Sequence, residues 1–254
     1  MPKFAANITT MFKDLEMSER FDKAVTLGFQ GIEILFPYQH DKDVLRGLFD
    51  NSGLPLALIN TPAPDWDDGG RGVAAIPGQE DRFRREFEQA LAYAEALGAE
   101  QIHVMSGVTR DEAAFDQFCD NLDWAASQAP RQMLTLEPLN PRDVPDYFLG
   151  DYGLAVEVIE TIGRRNVRLQ YDLYHATLIK NDPFEDWENI CRHIAHVQIS
   201  TPPERTAPDV RLPAMQTLIS WLMNESYEGW ISAEYPSYSG DDYNWVAPFL
   251  TVFR

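Results

Sequence analysis

One strand, one helix and a second strand are predicted within residues 133–172, which read MLTLEPLNPRDVPDYFLGDYGLAVEVIETIGRRNVRLQYD. The apolar runs at its two ends, MLTLE and VRLQYD, have the length of buried parallel strands, and each stops at an acidic residue. Between them, Leu154, Val158 and Ile162 recur with the period of an amphipathic helix. The segment therefore reads as one repeat of a parallel α/β structure.

The same alternation runs along the rest of the chain. The apolar runs predicted as strands are Phe4–Ile8, Gly31–Phe36, Leu56–Asn60, Gln101–Met105, Met133–Glu137, Val167–Asp172, His196–Ile199 and Trp230–Glu234. The helical segments between and after them are Met17–Leu27, Lys42–Asn51, the stretch from Phe83 to Ala94, Arg110–Ser127, the stretch from Leu154 to Ile162, Asp182–His193, the stretch from Met215 to Met223 and Asp241–Phe253. Strand followed by helix throughout predicts a parallel sheet with right-handed crossovers.

Periodicity alone does not distinguish a closed barrel from an open, doubly wound sheet. The sequence contains no GxGxxG after the first strand and no GxxxxGK[ST], which disfavours dinucleotide and P-loop nucleotide binding. A length of 254 residues suits one (β/α)8 barrel, and no segment resembles a linker between domains. We therefore predict an α/β fold consisting of a single (β/α)8 TIM barrel domain over residues 1–254.

Composition and net charge limit which binding partners and which cellular location are expected. The net charge of −19 repels phosphate backbones and anionic lipid surfaces, so nucleic acid is not expected as a partner. Cys119 and Cys191 stand apart and are expected to be free thiols. No apolar segment has the length of a signal sequence or a membrane span, which predicts a soluble, cytoplasmic protein. The oligomeric state stays open, with a homo-oligomer as one option.

Four predicted strands carry a residue with an oxygen ligand at or next to their last position. These residues are Glu137, Asp172, Gln198 and Glu234, and Glu33 stands in a similar place on the second strand. A polar residue at a strand end usually only marks where the strand meets water. In a barrel, however, these ends converge at one mouth, where several carboxylates would repel one another unless a cation lay between them. An all-oxygen set favours Mg²⁺ or Mn²⁺ over zinc.

The segments that carry these residues resemble a known family. FAANITTMF, GIEILFPY, LTLEPLN, YDLYH, HVQI and AEY occur in the order and at the separations found in hydroxypyruvate isomerases, which belong to the xylose-isomerase-like barrels. The resemblance covers nearly the whole chain. It implies that Glu137, Asp172, Gln198 and Glu234 bind the metal, and that Glu137 and Glu234 face each other across the substrate as the acid–base pair.

Further contacts to the substrate are implied in the same way. The resemblance assigns His175 and Arg205 to substrate oxygens, and an arginine suits a carboxylate because it can donate two parallel hydrogen bonds. His103 at the end of the fourth strand is a candidate from its position, and Asn60 and Trp66 match the family in the segment INTPAPDW. For each of these last three, a purely structural role is the alternative.

The chain departs from the family in two places. After Arg205 the family continues into a His, a Pro and a GTGE stretch, whereas this chain reads TAPDVRL, and Pro236 stands where the family usually has Arg. Both differences remove polar groups from the substrate end of the site. They put the substrate in question more than the type of reaction.

The predicted function is that of an intramolecular aldose–ketose-type isomerase. It would convert a small hydroxy-oxo acid, of the hydroxypyruvate to tartronate semialdehyde type, by proton transfer through an enediolate. The alternatives are a ketose 3-epimerase or a 2-oxo-sugar-acid isomerase using the same glutamates, and a non-enzymatic metabolite-binding barrel. An abasic-site endonuclease of the same superfamily would need a His-rich zinc site and a basic surface, which five His residues and the acidic charge disfavour.

Overall fold

Eight parallel strands close into a barrel in the computed structural model of the chain, which describes residues 1–252. The strands are β1 (Lys3–Asn7), β2 (Gly31–Glu33), β3 (Leu56–Asn60), β4 (Gln101–His103), β5 (Met133–Leu136), β6 (Val167–Asp172), β7 (Ile194–Ile199) and β8 (Trp230–Ala233). Each strand pairs with the next, and β8 pairs in parallel with β1. The predicted TIM barrel is confirmed, and its closure excludes the open, doubly wound sheet.

Helices follow the strands and cover the outside of the barrel. They are α1 (Met17–Leu27), α2 (Lys42–Ser52), α3 (Glu80–Leu97), α4 (Ala114–Gln128), α5 (Tyr152–Ile162), α6 (Leu173–Ile179), α7 (Trp187–Ile190), α8 (Pro213–Asn224) and α9 (Val246–Val252). Each strand faces the helices on one side and the barrel interior on the other. A strand such as β3 is therefore buried along its whole length. This explains why the strands read as continuous apolar runs.

Some predicted boundaries were wrong. The segment Arg110–Ser127 becomes helical only at Ala114, because a turn in which the Asp111 carboxylate accepts from the backbone of Ala113 comes first. The segment Asp182–His193 is helical only over α7 and a short 3-10 turn. The last predicted helix, Asp241–Phe253, begins at Val246, and its final residue lies outside the described residues.

Helix α6 was not predicted at all. It starts directly after β6, and the Asp172 side chain caps it by accepting from the backbone N–H of Tyr174 at 2.8 Å. The strand thus passes into a helix without a loop. Two residues that the resemblance assigns to the site, Asp172 and His175, are held one helical turn apart by this junction.

The floor of the barrel depends on a glycine. A Cβ atom on Gly31 would lie 2.4 Å from the ring of Trp230, so only glycine leaves room for this buried indole. The functional residues lie at the opposite end, where the strands have their carboxyl ends. Among residues 1–252, no helix is both long enough and apolar enough to cross a membrane.

Candidate active site

The four residues predicted to bind metal lie at the ends of neighbouring strands. Asp172 closes β6 and stands opposite Gln198 of β7 in the strand register. Glu137 directly follows β5 and precedes a proline, which favours an extended backbone at Glu137. Glu234 directly follows β8, and its N–H continues the ladder to the carbonyl of Ile199. All four side chains are buried.

A cavity of about 210 Å³ opens at this end of the barrel. Its volume is below the range of about 300–1,000 Å³ for drug-sized ligands, so it suits a substrate of a few carbon atoms. The predicted site residues that line it are Glu137, Glu234, His103, His175, Arg205, Asn60 and Trp66. Asp172 and Gln198 are buried and are not part of this lining.

Burial raises the pKa of all three acidic side chains. The pKa of Asp172 rises to about 6 and that of Glu234 to about 7, in both cases chiefly because the carboxyl group is removed from water. The pKa of Glu137 rises well above its usual range, first through burial and then through the nearby charges of Glu234 and Asp172. The three carboxyl groups therefore share one poorly solvated space in which their negative charges oppose one another.

Arg205 is the cation that partly offsets this repulsion. Its Nη2 donates to Glu234 Oε1 at 2.9 Å and to Asp172 Oδ2 at 3.2 Å. Its backbone φ of +53° lies in the left-handed region, which is uncommon for residues other than glycine. The loop is fixed there by a pair of backbone hydrogen bonds between Thr201 and Thr206. One guanidinium thus faces three carboxyl groups.

His175 joins this cluster from α6. Single ligand atoms of Glu137, Asp172 and His175 lie within 4.8 Å of one another, so this buried group could hold a metal ion. However, His175 Nδ1 accepts from the backbone N–H of Asn140 at 3.0 Å, and burial holds the pKa of His175 well below 6.5. The neutral ring therefore carries its proton on Nε2, which lies 3.8 Å from Asp172 and 4.0 Å from Glu137. In this form His175 is a hydrogen-bond donor.

His103 and Asn60 lie on the other side of Glu137. The Nδ1 atom of His103 is 3.3 Å from Asn60 Oδ1 and 3.5 Å from Glu137 Oε2, both of which are acceptors. Burial lowers the pKa of His103 to about 3, so its ring is neutral at physiological pH. Its Nε2 is buried and has no hydrogen-bond partner among the described residues.

Gln198 lies below the cavity and is hydrogen-bonded to two neighbouring side chains. Its Nε2 donates to Glu33 Oε2 at 3.0 Å, and its Oε1 accepts from Gln170 at 2.8 Å. An amide oxygen has two lone pairs, so Oε1 keeps one site for a further partner. Glu33, at the end of β2, is fully buried and bonded in this network, and it does not line the cavity.

The structure shows where the two departures from the family pattern lie relative to the cavity. Arg205 reaches the site from the altered loop after β7, whereas Pro236 is exposed and does not line the cavity. Sequence reasoning missed Arg71 and Asp143, which do line it. The sequence GGRG after β3 places Arg71 at the same end of the barrel as the other site residues, but it does not show that the side chain lines the cavity, which depends on tertiary contacts such as the stacking on Trp66.

Comparisons with known proteins agree with this architecture. A family model described as "Xylose isomerase-like TIM barrel" matches residues 21–250. The 2-oxo-tetronate isomerase of Cupriavidus necator is 36% identical over 98% of this chain and 99% of its own length. The hydroxypyruvate isomerase of Escherichia coli K12 is 32% identical over 98% of this chain and 100% of its own length. A crystal structure from Brucella melitensis, titled AP endonuclease, family 2, is 38% identical with a TM-score of 0.92 over 99% of both chains.

Proposed function

The chain belongs to the family of hydroxypyruvate and 2-oxo-tetronate isomerases within the xylose isomerase-like TIM barrels, and on that premise we propose that it isomerises a small 2-oxo hydroxy acid with the help of a divalent metal ion. The observation that carries this proposal is the buried group of Glu137, Asp172 and Glu234, which a single arginine neutralises only in part. Such a group suits both a cation and proton transfer.

The donor set fits a hard divalent cation. We propose that Glu137, Asp172, Gln198 and Glu234 hold Mg²⁺ or Mn²⁺, because all four offer oxygen atoms and three of them lack a full counter-charge. His175 is then a neighbour of the ion and not a ligand, since its proton is on Nε2. When bound, the ion would polarise the substrate carbonyl and stabilise negative charge on its oxygen.

Glu137 and Glu234 are proposed as the acid–base pair. Isomerisation requires removal of a proton from the carbon beside the carbonyl and return of a proton to the former carbonyl carbon. A carboxylate can take up the proton and, once protonated, can return it, and both Glu137 and Glu234 line the cavity in which the substrate would lie. The Nε2–H of His175 and the guanidinium of Arg205 lie beside the same carboxyl groups, where they can donate to the substrate oxygens.

The small size of the cavity and the names of the relatives support a short 2-oxo hydroxy acid as the substrate class. Hydroxypyruvate and 2-oxo-tetronate share a carboxylate, an adjacent carbonyl and a hydroxylated carbon, and 2-oxo-tetronate has one further hydroxymethyl group. Because the loop after β7 lacks the polar stretch seen in the family, we expect the longer acid to gain affinity from contacts elsewhere. The expected kcat/KM on 2-oxo-tetronate is about tenfold or more above that on hydroxypyruvate, the scale of one lost hydrogen bond to a charged group.

The test is incorporation of solvent deuterium into carbon-bound positions of both acids, followed by NMR in D₂O with an enzyme-free control. Isomerisation with enzyme-dependent exchange supports the proposal. Binding without exchange would instead identify a metabolite-binding barrel. Inversion at the third carbon of a ketose, with no turnover of the acids, would identify a 3-epimerase.

Nuclease activity finds no support in this site. Among residues 1–252, the one group of three or more metal-ligating residues that come together is Glu137, Asp172 and His175, which contains a single histidine. The net charge of −19 also opposes binding to a phosphate backbone.

A further inference from the structure

Arg71 is a second cation in the cavity. It lies in the loop between β3 and α3 and lines the same space as Glu137 and Arg205. Its guanidinium is 3.7 Å from the centre of the Trp66 ring, and its Nη1 donates to the backbone carbonyls of Trp66 at 3.0 Å and Gly70 at 2.6 Å. The ring and the two carbonyls fix the position of the group.

The two arginines of the cavity differ in what they bind. Arg205 binds Asp172 and Glu234 through Nη2, and its unpartnered Nε is buried, whereas Arg71 makes no ion pair with any residue from 1 to 252. The nearby Asp65 carboxylate is already paired with Arg82 at 2.9 Å. Partial burial lowers the pKa of Arg71, in keeping with a guanidinium that has lost water and has no ion-pair partner.

The unused donors of Arg71 form one edge of its guanidinium. Because the backbone carbonyls take Nη1, and no described residue accepts from Nε or Nη2, these two N–H groups are available side by side. This edge matches the two oxygens of a carboxylate, which arginine binds through two parallel hydrogen bonds.

A substrate carboxylate needs such a partner. The reacting carbons must lie against Glu137 and Glu234, whose charges repel the adjacent carboxylate. We propose that Arg71 binds the substrate carboxylate through Nε and Nη2 and thereby selects oxo acids over neutral ketoses. This inference rests on the proposed isomerase function. Arg205, predicted from the sequence to bind this carboxylate, instead remains beside the reacting carbons.

The experiment compares a charged substrate with its neutral analogue in wild type, Arg71→Met and Arg71→Lys. Dihydroxyacetone replaces the carboxylate of hydroxypyruvate by a hydroxymethyl group, and it can be measured as a substrate or as a competing ligand. In Arg71→Met, the KM for hydroxypyruvate should rise by about ten- to a hundredfold, while the constant for dihydroxyacetone should change by less than about twofold. Arg71→Lys keeps the charge without the paired donors, so its KM should be intermediate.

Arg84→Met is the matched control. Arg84 also lies over a tryptophan, Trp124, at 5.3 Å, but it does not line the cavity, so both constants should stay at the wild-type value. An unchanged KM for hydroxypyruvate in Arg71→Met, with wild type active on the acids, would overturn the assignment of Arg71. If Arg205→Met alone then raised this KM, the carboxylate would belong to Arg205. Inactivity of the wild type on every acid would refute the proposed function itself.

Discussion

Two polar layers lie inside the barrel, and they differ in how their charges are balanced. In the lower layer, Glu33 accepts from Asn7 and Gln198, each at 3.0 Å, and is bonded to His196, while Gln170 links Gln198 to Thr135. In the upper layer, Glu137, Asp172 and Glu234 face a single guanidinium. The carboxylate of the lower layer is saturated by donors from the protein, whereas those of the upper layer are not.

The lower layer therefore acts as a structural framework, whereas the upper layer is suited to binding a ligand. Buried polar groups that are fully hydrogen-bonded specify one arrangement of the surrounding structure. Buried carboxyl groups without enough donors have raised pKa values and favour any cation that reaches them. Gln198 belongs to both layers, because Glu33 fixes its amide nitrogen and so decides where its oxygen lies.

Of the expected effects, the largest should come from removing the metal ion that the upper layer is proposed to bind. Activity is expected to vanish after treatment with a chelator and to return with Mn²⁺ or Mg²⁺, because the carboxylates would otherwise repel the substrate. Calorimetric titration of the stripped protein with Mn²⁺ should give one site, and Asp172→Asn should weaken its affinity. Full activity in protein shown to be free of metal would remove the ion from the mechanism.

Neutral substitutions in the acid–base pair should have the next largest effect. Glu137→Gln and Glu234→Gln are each expected to lower kcat by at least about a hundredfold, the usual scale for loss of a general base. Metal occupancy is measured in parallel, and the exposed Glu112→Gln serves as the control. Near-normal turnover by a fully metallated Glu234→Gln enzyme would exclude Glu234 from proton transfer.

The sequence predicted the upper layer better than the lower one. Glu137 and Asp172 each follow an apolar run directly, and strand ends of a barrel meet at one mouth, so their proximity could be inferred from position alone. The bond between Glu33 and Gln198 joins β2 to β7 across the interior. No local pattern reveals such a pair, because it depends on side-chain direction inside the closed barrel.

Two further features were hidden for physical reasons. Helix α6 has seven residues, too few to show a helical period, and it starts at the strand end itself. Arg71 sits in a loop whose path over the barrel mouth depends on tertiary contacts, among them the stacking on Trp66. The ion pairs of Arg205 likewise depend on a left-handed backbone that its sequence does not favour.

A substitution in the lower layer should lower the free energy of unfolding, whereas one in the upper layer should not. Glu33→Leu removes the carboxylate that accepts from Asn7 and Gln198 and leaves both donors buried without a partner, so the free energy of unfolding should fall by about 1–3 kcal/mol. In metal-free protein, Glu137→Gln should leave this free energy unchanged or raise it, because it removes a carboxyl group whose ionised form is disfavoured by burial and by the neighbouring carboxyl groups. Urea unfolding of both variants measures the contrast. Equal losses of unfolding free energy in the two variants would show that the upper layer also belongs to the structural framework.

The smallest expected effect is on pH dependence, and it concerns the carboxyl groups of the upper layer. The pKa values of Asp172 and Glu234, about 6 and about 7 in the folded protein, lie above the ordinary values of about 3.9 and 4.3 for an unfolded chain. These two carboxyl groups therefore bind more protons in the folded protein than in the unfolded chain between about pH 4 and 7, and they make metal-free protein less stable as the pH rises through that window. A metal ion needs the ionised carboxylates, so its affinity should increase by up to about tenfold per pH unit for each proton displaced. The gap in Tm between Mn²⁺-loaded and metal-free protein should accordingly widen from pH 5.5 to 7.5, and Glu234→Gln should reduce this widening. A gap that stays constant over the range would mean that these carboxyl groups are already ionised without the metal, and the distinction between the two layers would then rest on hydrogen bonds alone.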